Sequence, residues 1–418
     1  MVSKIYPLCL LLLAGCSGSK GEFDKGVIGQ TLSETSGLYN SYGIDTKNIF
    51  VVDHATNRLL GLNTETMGFD YEFALTKPEE NHYVAMDTNE KFVIDFSLKH
   101  LQVIALDGQR YDSTLKFRGT PTSVAYNPIS RTMVMQDDLS SIGILKMAQN
   151  GAIEKSWLGG PLVAEGKQIE AGDVDKSGRL ILAMSDGSIT VVDIDATLAQ
   201  QSWQHSSFKG LNSPTWLSPD HAVDNTILVA SDSQLAVVNI ATQTIGDTIE
   251  IPGKSYAPLS SSFQPYKTSG SYSGDPYYYE QRQLVGFSKA GKPHAIVKAN
   301  EGSDPILYFI GSDGKLKTHT LTDVGSGYYR QSYLKADGTE LTVLFQTDYS
   351  TVKVFGLRLS DNLVIRNTTT EISGSAKING DFLFVDYQTG LGRLDLHNLN
   401  DDSTKTVQGY NFDYLRNQ

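Results

Sequence analysis

Apolar runs of strand length alternate with short polar turns along almost the whole chain. The clearest unit is GRLILAMSDGSITVVDID, residues 178–195. Leu180 to Met184 is a continuous apolar run, and Ile189 to Val192 is rich in β-branched residues, which suit a pleated surface packed on both sides. Between them, Ser185-Asp186-Gly187 carries turn chemistry: glycine accepts positive φ, and aspartate hydrogen-bonds the backbone just ahead of it. The pattern predicts two antiparallel strands joined by a tight turn. Similar hairpins recur to the C-terminus, and no stretch beyond the first residues shows sustained helical periodicity.

Aligning each strand with Leu180 gives the anchors Ile49, Phe92, Met133, Leu180, Ile227, Ile306, Leu341 and Phe382. The steps are 43, 41, 47, 47, 79, 35 and 41 residues. A period in the forties with several short strands per period predicts an all-β chain folded as a single β-propeller over 27–418. Two β-sandwiches would lack a repeat of constant length. Eight anchors predict eight blades, with seven as the alternative if the 35-residue step hides a degenerate repeat. The long step contains a stretch of different composition, 252–283, whose removal restores the period. Val27 to Leu32 is a strand candidate that would complete the last sheet and close the ring.

Some repeat sequences carry a resemblance. Asn150-Gly151 through Trp157 and Gly159 looks like the PQQ-type repeat, and 195–203 is a weaker copy ending at Trp203. Asn239 through Thr242 to Ile245 looks like the YVTN type. The chain thus resembles bacterial propellers with YVTN, PQQ-like or WD40-like repeats, and is loosely similar to the outer-membrane assembly propeller lipoproteins. That resemblance implies a β-propeller held in the cell envelope.

The first residues change the picture of where such a propeller works. Met1 to Lys4 carries one positive charge, Ile5 to Leu13 is nearly all apolar, and the run ends at Leu13-Ala14-Gly15-Cys16. This order is that of a secretory leader over 1–15 with a lipobox, in which Cys16 takes the lipid (palmitate among its acyl chains) and becomes the first residue. Residues 16–26 are small and polar and read as a lipidated tether. The expected address is the bacterial cell envelope, with a membrane anchor in the outer membrane facing periplasm or exterior. Cys9 lies in the leader, so the mature chain has no pair of cysteines for an internal disulfide and must fold by burial alone. The net charge of −12 and pI near 5.1 argue against a nucleic-acid partner.

Candidate chemistry is sparse. Asp173-Val-Asp175-Lys-Ser177-Gly178 starts like a calcium loop, but Met184 stands where a bidentate glutamate is needed, so Asp173 and Asp175 form an incomplete metal site. No HxH, HExxH or G-x-S-x-G spacing occurs. The pairs Asp137-Asp138 and Asp401-Asp402 fall in predicted turns. No cofactor is expected. The insertion is the unusual feature: it holds Tyr256, Tyr266, Tyr272, Tyr277, Tyr278 and Tyr279, and tyrosine gives large contact area at low entropic cost. It is expected to join the outermost strand of one blade to the innermost of the next. That face also carries the turns between second and third strands, with Ser185–Gly187 and 312–314 expected among them. Two function classes follow: a scaffold that binds a partner protein or an envelope polymer, or a quinoprotein- or lactonase-like enzyme with its site in the central channel.

Overall fold

The computed structural model describes residues 47–53, 58–75 and, with short interruptions, 83–251, 254–255, 281–285 and 292–408. The described residues form antiparallel sheets whose strands follow one another in chain order. Sheet one covers 48–74, sheet two 83–112, sheet three 121–159, sheet four 169–209, sheet five 214–250, sheet six 281–320, sheet seven 328–371 and sheet eight 376–408. Sheet one has three described strands, sheet six has a fifth in Lys254–Ser255, and the others have four. Val27 to Leu32 lies outside the described residues, and sheet eight holds four strands of its own sequence.

Sheets two to seven are apolar on both faces, and their cores lie between successive sheets. Phe92, Ile94 and Val103 of sheet two meet Tyr126, Met133 and Met135 of sheet three. Val134 and Ile144 of sheet three meet Leu180, Leu182 and Met184 of sheet four. The alternate residues Ile181 and Ala183 turn the other way, onto Leu217, Ile227 and Val229 of sheet five. Trp216 and Leu228 pack against Ala295 and Tyr308 of sheet six, whose Ile296 and Leu307 pack against Leu341 and Phe355 of sheet seven. The period-2 alternation of a strand thus feeds a different core from each face.

First strands of neighbouring sheets lie against each other, as Pro121–Asn127 does on Ile169–Val174 and Ile169–Val174 on Pro214–Pro219. They converge on an axis, and the later strands of each sheet fan outward. Sheet eight reaches back to sheet one: the buried Arg393 donates from Nη1 to the backbone carbonyl of Glu65 at 2.7 Å and also to that of Thr64. Face-to-face sheets around an axis, with the last meeting the first, make a β-propeller.

Three features differ from the sequence reading. Ile306 lies in the third strand of sheet six, not the second. The second strand is His294–Lys298, whose Ile296 and Ala295 are buried but whose ends are polar, so the apolar run is short. The 35-residue step therefore reflects a misplaced anchor, and sheet six is complete. A helix, α1 (Ile194–Gln200), which the sequence does not announce, overlaps the stretch 195–203 and precedes the last strand of sheet four. Asp193 caps it by accepting from the Ala196 amide, and Gln201 ends it in the left-handed region. At seven residues it is too short to show a helical period.

The stretch read as PQQ-like docks sheet three to both neighbours. Gly151 has φ +88°, and a Cβ there would lie 2.8 Å from Val103 and 2.9 Å from Phe92, so the turn rests on sheet two. Trp157 meets Trp203 edge to face with centroids 4.6 Å apart, and Trp203 donates from Nε1 to the Gly160 carbonyl on the other side.

Replacing Arg393 by Met should leave the buried Thr64 carbonyl and the half-buried Glu65 carbonyl without their charged donor. The expected loss is about 2–3 kcal/mol, read as a lower urea midpoint at unchanged slope. An unchanged midpoint would mean that closure does not depend on this side chain.

Candidate functional site

The chain leaves the outer strand of sheet five, Thr244–Glu250, and returns as the inner strand of sheet six, Gln281–Val285. The connection joins an outermost to an innermost strand as the sequence predicts, but the inner strand starts at Gln281, within the stretch 252–283 read as insertion. Tyr256, Tyr266, Tyr272, Tyr277, Tyr278 and Tyr279 lie outside the described residues, as does Cys16. The start of the insertion is described: Lys254–Ser255 runs parallel to Gln281 and Arg282 along the free inner edge of sheet six.

One of the two turns expected beside this connection is there. Ser185–Gly187 joins second and third strands of sheet four. The turn at 312–314 joins third and fourth strands of sheet six and so belongs to the opposite end of the ring. The cause is again the misplaced Ile306.

The aspartates of these turns are occupied by the backbone. Asp137, buried to 1% exposure, accepts from the amides of Leu139, Ser141 and Gly119. Asp186 accepts from the Ser188 amide and hydroxyl, Asp313 from the Lys315 amide, and Asp337 from the Thr339 amide and hydroxyl. A hydrogen bond from Lys167 holds the Asp186 carboxyl well below the usual carboxylate range, and Lys317 and Thr339 lower Asp313 and Asp337 in the same way. Asp138, Asp401 and Asp402 lie outside the described residues.

Asp173 and Asp175 are both buried, on the first strand of sheet four and in the turn after it. Asp175 accepts from the amides of Ser177 and Arg179, while its Oδ2 takes Nε of Arg179 at 2.8 Å and Nη2 at 2.5 Å. Arg179 also donates to Asn225 Oδ1 across the seam to sheet five, where Lys176 pairs with Asp224 at 2.6 Å. Lys176 draws the Asp224 carboxyl below its ordinary range. Asp175, Lys176, Asp224 and Asn225, which line the small cleft here, are thus engaged in an ionic staple between two sheets. Among the described residues, no three His, Cys, Asp or Glu side chains gather as a metal site.

His294, which like the other scattered histidines reads from the sequence as a surface or turn residue, is instead fully buried at the start of a strand. Its Nε2 lies 2.7 Å from Ser332 Oγ and its Nδ1 lies 3.1 Å from the Lys292 carbonyl. The carbonyl fixes the proton on Nδ1, so the Ser332 hydroxyl donates to Nε2. That is the order of a nucleophile and its base, but both residues are 0% exposed and no substrate reaches them. The pair joins sheet six to sheet seven. Burial pushes the His294 imidazole down to about 4.

No family model matches this chain, and no curated protein matches it. Solved structures do. The dihydro-heme d1 dehydrogenase NirN in complex with DHE aligns with TM-score 0.55 at 10% identity, over 87% of this chain and 74% of that one. Apo AztD from Citrobacter koseri aligns with TM-score 0.51 at 11% identity, over 87% and 96%. Both are β-propeller proteins. At such identities the likeness carries the fold alone: the chain is a β-propeller protein.

Two outcomes are expected. Because the unfolded imidazole has its pKa near 6.5 and the folded one near 4, the unfolded state takes the proton first as pH falls. The stability tied to His294 is fully present above pH 6.5 and falls by about 3 kcal/mol towards pH 4. A His294→Gln variant should lose that slope in urea titrations at pH 7, 5.5 and 4.5, and an unaltered slope would contradict the assignment. Since Arg179 occupies Asp175, excess chelator should leave the melting temperature unchanged, and a fall restored by calcium would reveal a site at Asp173 and Asp175.

Proposed function

We propose that this chain is a lipoprotein of the bacterial cell envelope whose eight-bladed propeller is a scaffold for binding a partner protein or an envelope polymer. The observation that carries the reading is the pairing of two features at opposite ends of the chemistry. The leader ends in Leu13-Ala14-Gly15-Cys16, and a tyrosine-rich insertion interrupts an otherwise regular ring between sheets five and six. The first supports an anchor at Cys16 followed by a polar tether. The second supports a recognition loop, because six tyrosines, Tyr256 to Tyr279, fall in the sequence between the outer strand of sheet five and the inner strand of sheet six. Eight sheets among the described residues support eight blades. The acidic balance favours partners without phosphate backbones.

Two variants test the reading. Cys16→Ser should move the protein out of the membrane fraction and remove the acyl mass seen by mass spectrometry. A wild type without acyl mass would end the lipoprotein reading. Replacing 256–280 by a short Gly/Ser link should keep the fold, read by circular dichroism and urea midpoint, and abolish partner capture from detergent-solubilised envelopes. Full capture by the folded variant would move recognition away from the insertion.

A further inference from the structure

The seam between sheets six and seven changes character along its length. Ile296, Leu307, Val343 and Phe355 fill it with apolar groups. Towards the turn of sheet seven at 335–339 it is filled by Lys292, His294 and Ser332, which are 5%, 0% and 0% exposed. Two bonds cross it there. The Ser332 hydroxyl donates to His294 Nε2 at 2.7 Å, and the Lys292 amide donates to the Leu334 carbonyl at 3.3 Å. A third bond, from His294 Nδ1 to the Lys292 carbonyl at 3.1 Å, fixes the ring. A Cβ at Gly338 would stand 4.0 Å from Lys292 Cδ and from Phe309, so the lysine stem also lies against the sheet-seven turn.

These residues sit where the two sheets can part with few bonds lost. His294 is the first residue of its strand and pairs with Phe309, while the inner strand Gln281–Val285 pairs only from Ile296 onward. Leu334 is the last residue of its own strand. Opening here costs three side-chain and loop bonds and one rung, and it leaves the apolar part of the seam standing. The charged groups around His294 are Lys292 before it, Lys317 beyond Phe309, and Lys335, Asp337 and Glu340 at the sheet-seven turn. The strand of Ser332 also carries Arg330, whose side chain lies outside the described residues. Lys317 pairs with Asp313, Lys335 with Glu340, and Asp337 accepts from Thr339. Among the described residues, no carboxylate is bonded to the imidazole. Burial holds it neutral. A proton on Nε2 would end its role as acceptor, leave the Ser332 hydroxyl without one, and place a charge with no counter-ion where no solvent reaches.

We propose that this end of the seam is an acid latch: protonation of His294 parts Lys292–Ala295 from Ser332–Leu334 of sheet seven while the other described seams stay shut. The proposal goes beyond the scaffold reading and does not depend on what the ring binds. It also differs from a general loss of stability in acid, because one seam opens ahead of the rest. Its size follows from linkage. The exposed imidazole titrates near 6.5 and the closed one near 4, so the open form takes the proton first as pH falls. The latch is closed above pH 6.5, and its opening constant rises about twentyfold between pH 7 and pH 5.

Hydrogen exchange of the detergent-solubilised full chain measures that constant segment by segment. It is read by mass spectrometry at pH 7, 6 and 5 and corrected for the pH dependence of the chemical exchange rate. Opening of peptides covering 292–298 and 328–334 should rise about twentyfold, while peptides covering 179–193 in sheet four change less than about threefold. His294→Gln should remove the pH dependence from the two seam segments. Ser332→Ala deletes the hydroxyl but keeps the imidazole, so it should raise opening at pH 7 and still show a rise towards pH 5. No rise in the wild type would overturn the proposal, as would a rise shared equally by sheet four, which would mean that the whole ring loosens together. A rise that survives in His294→Gln would assign it to another group. The wild-type comparison and Ser332→Ala decide the matter even where His294→Gln does not fold, since unchanged opening of Ser332→Ala at pH 7 would show that the pair does not hold the seam.

Discussion

Every well-described sheet in this chain buries both of its faces. In sheet four, Leu180, Leu182 and Met184 need one neighbour, and Ile181, Ala183 and Ile189 need another. Fully burying a side chain of this size contributes about 1.5–3 kcal/mol, so a sheet left bare on one side would forfeit several such terms at once. A stack of such sheets has no natural end. Only a closed ring gives each one two partners, and closure also leaves no sheet at the end of the row. Arg393 stands at the point where that closure is made. Its guanidinium bridges sheet eight to the Thr64–Glu65 turn of sheet one with polar bonds, as Arg179 and Asn225 bridge sheets four and five.

The same constraint explains what the amino-acid pattern revealed. The second and third strands sit mid-sheet and are buried throughout, as Thr226–Ser231 and Thr132–Asp137 are, so their apolar runs can be counted along the chain. Outer strands such as Thr244–Glu250 and His205–Lys209 are largely exposed and carry no apolar run. First strands such as Ile169–Val174 mix Glu, Gly and Asp among apolar residues. Sheet six escaped because its second strand is framed by His294 and Lys298, and the stronger run at Ile306 took its place. That single shift also put the turn at 312–314 on the wrong end of the ring.

Site residues were less legible, for a physical reason. Turn aspartates dominate the candidate chemistry of the sequence, but their carboxylates are spent on the amides of their own turns. The calcium-like loop at Asp173 and Asp175 is of this kind: Ser177 and Arg179 take the oxygens that an ion would need. His294 and Ser332 show the converse. They are 38 residues apart and carry no motif, and only the seam between two sheets brings them together.

What distinguishes one end of the ring from the other is register, which residue types do not encode. A one-residue slip at Glu170 changes no composition and no period, yet it reverses the faces of Ile169 and Ala171. The interior tolerates such a slip only near a strand end, where few rungs remain to be realigned. Among the described residues, no further strand pairs with the inner edge of Ile169–Val174. Slips also occur on the outer pairings, between Lys146 and Met147, between Ala236 and Val238 and between Gly356 and Leu357, so register varies on both sides of a sheet without leaving a mark in the composition.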